Sequence, residues 1–183
     1  MRSVTLNAHA KLNLTLDILG LRSDGYHDLS MVMQSISLCD TLHVALTEGA
    51  DIACLVDGAD LPADESNLAV KAARAFFRET ALPPCGLSIE IEKRIPIAAG
   101  MPGGSADAAA VLHALRELLM PAMELTALER IGETVGSDVP FCVRGGTALA
   151  EGRGELLTSL SPAPKLSVVV CKPPFPISTL LLM

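Results

Sequence analysis

Apolar and polar residues alternate from the start of the chain. Val4, Leu6, Ala8, Ala10, Leu12, Leu14, Leu16 and Ile18 are apolar, and Thr5, Asn7, His9, Lys11, Asn13, Thr15 and Asp17 between them are polar. A period of two sustained this long predicts one extended strand, or two joined by a bend, with one face in the core. The turn signal Asp24-Gly25 follows. A second strand is predicted from about Leu29 to Leu46, with Ile36, Leu38, Leu42, Val44 and Leu46 on one face, and a weaker one from Asp51 to Val56. Leu87, Ile89 and Ile91 alternate with Ser88, Glu90 and Glu92, a further strand. Asp64 to Thr80 reads as a helix that Asp64, Ser66 or Asn67 is placed to cap, and Ala108 to Leu119 as another, stopped near Pro121. Thr126 and Glu129 have the spacing of a capping box on a short helix closed at Gly136. The segment after it reads as a loop followed by a glycine-punctuated hairpin, and Lys165 to Pro174 as a buried strand. Antiparallel hairpins with helices between them predict an α+β fold, a mixed or antiparallel sheet packed against helices.

Composition narrows the function classes. Half of the 183 residues are hydrophobic but only 3% are aromatic, so the core must be aliphatic. The net charge is −7 and no basic stripe is present, which argues against a nucleic-acid partner. Cys39, Cys54, Cys85, Cys142 and Cys171 are odd in number and widely spaced, without a C-x-x-C or a Cys/His cluster. They predict reduced thiols in a cytoplasmic protein rather than a disulfide framework or a zinc site. No apolar run reaches the ~18 residues of a membrane span, and the alternating N-terminus is unlike a signal peptide.

The chemistry concentrates between Ile95 and Leu115, "IPIAAGMPGGSADAAAVLHAL". A loop poor in side chains runs straight into a helix. The first turn of that helix offers unpaired N–H groups and the positive end of the helix dipole, and small residues let an anion reach the backbone. Ser105 adds a hydroxyl for a phosphate or a metal. The alternative is a glycine-rich turn that only caps a core helix. The segment contains neither the G-K-[ST] of a P-loop nor a G-x-G-x-x-G fingerprint.

Pro96-Ile97-Ala98-Ala99-Gly100-Met101-Pro102-Gly103-Gly104-Ser105-Ala106 resembles the second motif of the GHMP small-molecule kinases, P-x-x-x-G-L-G-S-S-A-A. "AKLNLTLDILGLRSDGYHDL", Ala10 to Leu29, and "GSDVPFCVRGGTALAEGRGE", Gly136 to Glu155, are similar to one branch of them, the 4-diphosphocytidyl-2-C-methyl-D-erythritol kinases. The three stretches occur in order along nearly the whole chain. The resemblance implies an N-terminal, ATP-binding GHMP domain over residues 1–172. It implies transfer of the ATP γ-phosphate to the 2-hydroxyl of 4-diphosphocytidyl-2-C-methyl-D-erythritol in the non-mevalonate isoprenoid pathway.

Residue by residue, the resemblance implies a catalytic pair in Lys11 and Asp138. From spacing alone, Lys11 belongs to a water-facing polar row, and Asp138 to a loop where it would cap the residues after it. The resemblance further implies that Pro96 to Ala106 hold the phosphates of ATP, with Ser105 near Mg²⁺ and Asn67, otherwise a helix cap, near the adenine. Tyr26 and His27 would recognise cytosine, and Asn13 would lie near the reacting hydroxyl. Met101 and Pro102 depart from the family's Leu-Gly, and alanine at 98 and 99 is expected to resist positive φ. Residues 173–183 match only the start of the family's C-terminal region. Met183 falls where an aromatic wall of the cytosine site is usual, so a truncated chain is expected. Two further readings stay open: an inactive nucleotide-binding module, or a different GHMP kinase. The expected partner is a small-molecule substrate, without nucleic acid or membrane, and a homodimer is left open.

Overall fold

The period-two segment forms a single strand, β1 (Ser3–Leu21), in a computed structural model that describes residues 2–23 and 25–171. It pairs antiparallel with β2 (His27–Thr47), through a turn in which Arg22 N–H donates to the Tyr26 carbonyl at 2.7 Å. β3 (Ile52–Asp57), α1 (Leu68–Thr80), β4 (Gly86–Glu92), α2 (Gly103–Leu119), α3 (Leu125–Glu133), α4 (Val139–Arg144), β5 (Thr147–Gly152) and β6 (Leu156–Ser159) follow. β2 is bonded along one edge by β1, and along the other by β4 at Thr41–Thr47 and β5 at Leu29–Gln34. β3 runs parallel to β4, so the sheet is mixed, in the order β3-β4-β2-β5-β6 with β1 on β2. The α+β expectation is met. None of the described helices is long and apolar enough to cross a membrane.

The core lies between the sheet and α1 and α2. Leu42, Val44, Leu87, Ile89 and Ile91 from the strands meet Phe76, Val111, Leu112 and Leu115 from the helices, all buried. The alanines of α2 are buried almost all round, because side chains this small let it pack close to neighbours on several sides. Leu29, Met31, Met33, Phe141, Ala148 and Ala150 form a second buried cluster between the sheet and α4.

Several expectations need correction. Leu14, Leu16 and Ile18 are 45%, 43% and 45% exposed, because β1 runs on beyond the helices that cover its first half and the second half of β2. The expected loop after Asp138 is instead α4, whose early proline suits a first helical turn. The capping box does not form: Thr126 is already the second residue of α3, and Glu129 turns to Arg144, accepting two bonds of 2.7 Å. Of the three residues placed to cap α1, Asn67 does so, as the sequence allowed, its Oδ1 accepting the Ala69 N–H at 2.9 Å. Val168, Val169 and Val170 are exposed and form no strand, since no sheet edge pairs with them among the described residues. The expected boundary at 172 and the position of Met183 lie outside the described residues.

Candidate active site

A shift of register between His9 and Lys11 breaks the strict alternation of β1. Its effect is to turn Lys11 inward, where it is only 4% exposed. The ammonium donates to Asn13 Oδ1 at 2.7 Å and lies 3.0 Å from Asp138 Oδ1. Asp138 stands just before α4 with helical φ and ψ, so its side chain does not cap and its carboxylate is free to face Lys11. That carboxylate keeps 31% of its exposure while Lys11 has almost none, so the acid is the member of the pair that solvent reaches. α4 is held in place by the paired bonds of Arg144 to Glu129 and by a 2.8 Å bond from Arg144 to the Leu157 carbonyl. Gly145 and Gly146, at φ 68° and 76°, then turn the chain into β5 through a conformation that side chains disfavour.

The loop hangs from two pegs. Ile95 and Met101 are each 3% exposed, while Pro96, Ile97, Ala98 and Gly100 between them face solvent. The N–H groups of Ser105 and Ala106 both donate to the Pro102 carbonyl at 3.1 Å. Among the described residues, those of Ile97 to Gly104 donate to no backbone carbonyl. They are therefore available at the positive end of α2. Ala98 adopts φ 52°, against the expectation that its Cβ would prevent it, and Gly100 adopts φ 69°. A non-glycine residue in this region carries about 1–2 kcal/mol of strain. Ser105 is buried in the first turn of α2. Leu68, next to Asn67, lies 3.3 Å from where a Cβ on Gly104 would stand, so the N-termini of α1 and α2 adjoin. Each polar end of Asn67 already has a protein partner, Ala69 N–H and the Pro62 carbonyl.

Cys142 of α4 and Ala106 of α2 line one cavity of about 230 Å³ with His9 of β1. Burial, with the Asp138 and Asp107 charges adding to it and Lys11 opposing, pushes the Cys142 thiol up to about 12. This thiol stays neutral, and it marks the corner where Lys11 and Asp138 meet the first turn of α2. Tyr26 and His27 are elsewhere. His27 pairs with Leu21 and Lys11 with Ser35. Eight residues of β2 separate the two places, roughly 26 Å of extended strand. Tyr26 is 59% exposed, with the Arg153 guanidinium 5.3 Å from its ring centroid. The structure thus gathers Lys11, Asn13 and Asp138 beside α2 and sets Tyr26 and His27 at the tip of the β1–β2 arm. No group of three or more His, Cys, Asp or Glu able to hold a metal occurs among the described residues. Sequence reasoning missed a buried cluster behind the loop, Lys93 with Asp40 and Asp107. Its available signal was Asp40, a charge on the apolar face of β2 between Leu38 and Leu42.

Residues 67–146 match the GHMP kinases N terminal domain. The chain is 51% identical over 175 residues to the 4-diphosphocytidyl-2-C-methyl-D-erythritol kinase of Heliobacterium modesticaldum, covering 95% of this chain and 55% of that protein. It is 49% identical over 176 residues to the kinase of the same name from Pelotomaculum thermopropionicum, covering 96% of this chain and 61% of that protein. The chain therefore spans a little over half the length of these relatives. The crystal structure of a 4-(cytidine 5'-diphospho)-2C-methyl-D-erythritol kinase superposes with a TM-score of 0.73 at 37% identity, over 86% of this chain and 55% of that one. A homoserine kinase from Cytophaga hutchinsonii shares the fold at 21% identity, with a TM-score of 0.62 over 81% of this chain and 48% of that one. The chain belongs to the GHMP kinases, and over nearly its whole length it is similar to their 4-diphosphocytidyl-2-C-methyl-D-erythritol kinase branch.

Proposed function

We propose that the chain carries the nucleotide and catalytic half of a kinase moving the γ-phosphate of ATP to the 2-hydroxyl of 4-diphosphocytidyl-2-C-methyl-D-erythritol. What supports this most is the contact of Lys11 with Asp138 at 3.0 Å, beside a loop whose N–H groups are open. Asp138 accepts the hydroxyl proton as the substrate oxygen bonds to phosphorus and the bond to the β-phosphate oxygen breaks, releasing ADP. Lys11 orients the carboxylate and offsets charge on the transferring group. The N–H groups at the start of α2 hold the other phosphates. Mg²⁺ is usually bound by few protein groups plus phosphate oxygens. Ser105 together with the nucleotide fits that donor set, and the ion would supply neutralisation of phosphate charge. Asn13 orients the reacting end, while Tyr26 stacks on the cytosine and His27 bonds its edge. The reach from Lys11 to Tyr26 requires a substrate stretched along the arm.

The test is γ-phosphate transfer from ATP to the cytidylylated substrate, compared with Asp138→Asn. Loss of a positioned base should lower kcat by about 10²–10⁴ with ATP affinity kept. A loss below about tenfold would assign the proton to another group. ATP binding without any transfer by the wild type would reduce the chain to a nucleotide-binding module.

A further inference from the structure

The proposed base stands one residue before α4, and that helix is a weak anchor by itself. It is six residues long, short of the roughly 12–15 at which an isolated helix becomes marginally stable in water. Asp138 makes no side-chain cap bond to it. Val139 and Val143 join the main core and Phe141 the second cluster, so apolar burial holds the helix down. Such burial is non-directional and does not fix rotation about the axis. Toward α2 the packing is also incomplete. Cys142, Gly145 and Gly146 line the cavity of about 230 Å³ together with Ala106 and Ala110 of α2. Side chains that do not close on one another cannot set the distance between the two helices.

Apart from the contact of Asp138 with Lys11, the polar ties from this helix to other elements lie at its far end among the described residues. His113 Nε2 of α2 lies 2.9 Å from the Val143 carbonyl, which can only accept, so the ring donates. His113 lines the same cavity, so this bond joins α2 to α4 beside the space that packing leaves. The Arg144 guanidinium forks onto Glu129 of α3 with two bonds of 2.7 Å and reaches the Leu157 carbonyl of β6 at 2.8 Å. A planar fork fixes angle as well as distance. Just past the helix, the Gly146 carbonyl accepts the Ser35 N–H of β2 at 2.9 Å. Asp138 and Arg144 are roughly 9 Å apart along the axis. A helix freed at one end therefore swings the carboxylate at the other.

We propose that His113 and Arg144 are positioning residues for phosphoryl transfer: from the far end of α4 they fix its rotation and hold the Asp138 carboxylate 3.0 Å from Lys11. This rests on the reading of Asp138 as the base. Their effect passes through the helix and not through the reacting atoms. It is nonetheless large, because a misplacement of about 1 Å costs on the order of 10²-fold in rate once the reacting groups leave near-attack distance. The His113 bond has a second consequence. The phosphate loop runs into the start of α2, and His113 lies further along the same helix. The bond thus ties the helix that receives the phosphates to the helix that presents the base, and sets the spacing that in-line transfer requires.

The experiment compares the whole chain with three variants. His113→Leu keeps the bulk and loses the bond, His113→Gln keeps a donor, and Arg144→Met loses the fork. Two quantities are read: turnover with ATP and the cytidylylated substrate, and the NMR signal of the Lys11 ammonium, assigned as the lysine signal that Asp138→Asn moves. His113→Leu and Arg144→Met should lower kcat by about 10- to 100-fold with KM for ATP nearly unchanged. In both, the ammonium signal should shift toward its position in Asp138→Asn. His113→Gln should stay near the wild type in both quantities. A wild-type kcat in His113→Leu, or an equal fall in the Leu and Gln variants, would overturn the proposal. So would loss of the fold in His113→Leu, since the bond would then support the fold and not the pair. Should Arg144→Met fail to fold, the His113 variants decide. A wild type that transfers no phosphate sinks the functional reading separately. The ammonium signal then decides, and one unmoved in His113→Leu overturns this inference.

Discussion

The corner around α2 and the arm of β1 and β2 are built on opposite physical terms. At the corner, charges are buried and mutually bound: Lys11 with Asp138, and Lys93 with Asp40 and Asp107. On the β1 side of the arm, apolar side chains stand in water, with Leu19 and Leu21 67% and 72% exposed. Its ion pair, Arg22 with Asp28 at 2.6 Å, is open to solvent. The corner thus holds its groups to fixed distances, which phosphoryl transfer needs, because positioning is most of what such a site contributes. The arm holds backbone register but leaves side chains such as Tyr26 exposed, which suits the base stacking proposed for it.

The largest expected effect tests the corner directly. Lys93→Met leaves two carboxylates uncompensated in the core and should destabilise the protein by about 3–5 kcal/mol, read by denaturant melts. Arg22→Met on the arm should cost no more than about 1 kcal/mol. Equal costs would erase the distinction.

A second effect follows from Asp107, raised from its unfolded value of 3.8 to about 7. Between these values the folded protein binds the proton and the unfolded chain does not. Stability is therefore greatest below about pH 4 as far as this group is concerned, and falls as pH rises through 7, by a few kcal/mol at about 1.4 per unit. Melting of Asp107→Asn should lack this decline. A parallel decline in both proteins would move the cause away from Asp107.

The smallest effect belongs to the arm. Tyr26→Ala should weaken binding of the cytidine substrate by about 1–3 kcal/mol, the scale of a base–aromatic stack. It should raise KM, leave kcat nearly alone and leave the melting temperature unchanged. A fall in kcat with KM constant would join the arm to the corner.

Legibility in the sequence divides along the same line. β1, β2 and β4 were readable because period two survives wherever a sheet has one buried face, and α2 because small residues and a loop announced it. The extent of the core along β1 was not. Alternation says which residues share a face, but not where the covering helices end, so Leu16 and Ile18 read like Leu6. The burial of Lys11 was hidden for a related reason: an irregularity in the pairing with β2 takes it out of the alternation, and a period-two pattern cannot show where that happens. α4 is only six residues long, too short to show a helical period. The capping box misled because Glu129 had a stronger partner in Arg144, 15 positions on, which no local pattern can see. Lys93 and Asp107 escaped notice because each is ordinary alone, and only the fold brings them to Asp40.

The two-sided pairing of β2 also bears on how the site comes into being. Its contacts with β1 close a turn between Leu21 and His27, whereas its contacts with β5 join Gln34 to Thr147, 113 residues later. Local pairings form first, because long-range ones must overcome loop-closure entropy before any contact rewards them. The β1–β2 hairpin, Lys11 included, can be present early in folding. Asp138 arrives only with the segment that carries α4 and β5. During synthesis, then, the lysine waits without its carboxylate until most of the described chain has emerged, and the site is assembled at the end of folding rather than inherited from its first hairpin.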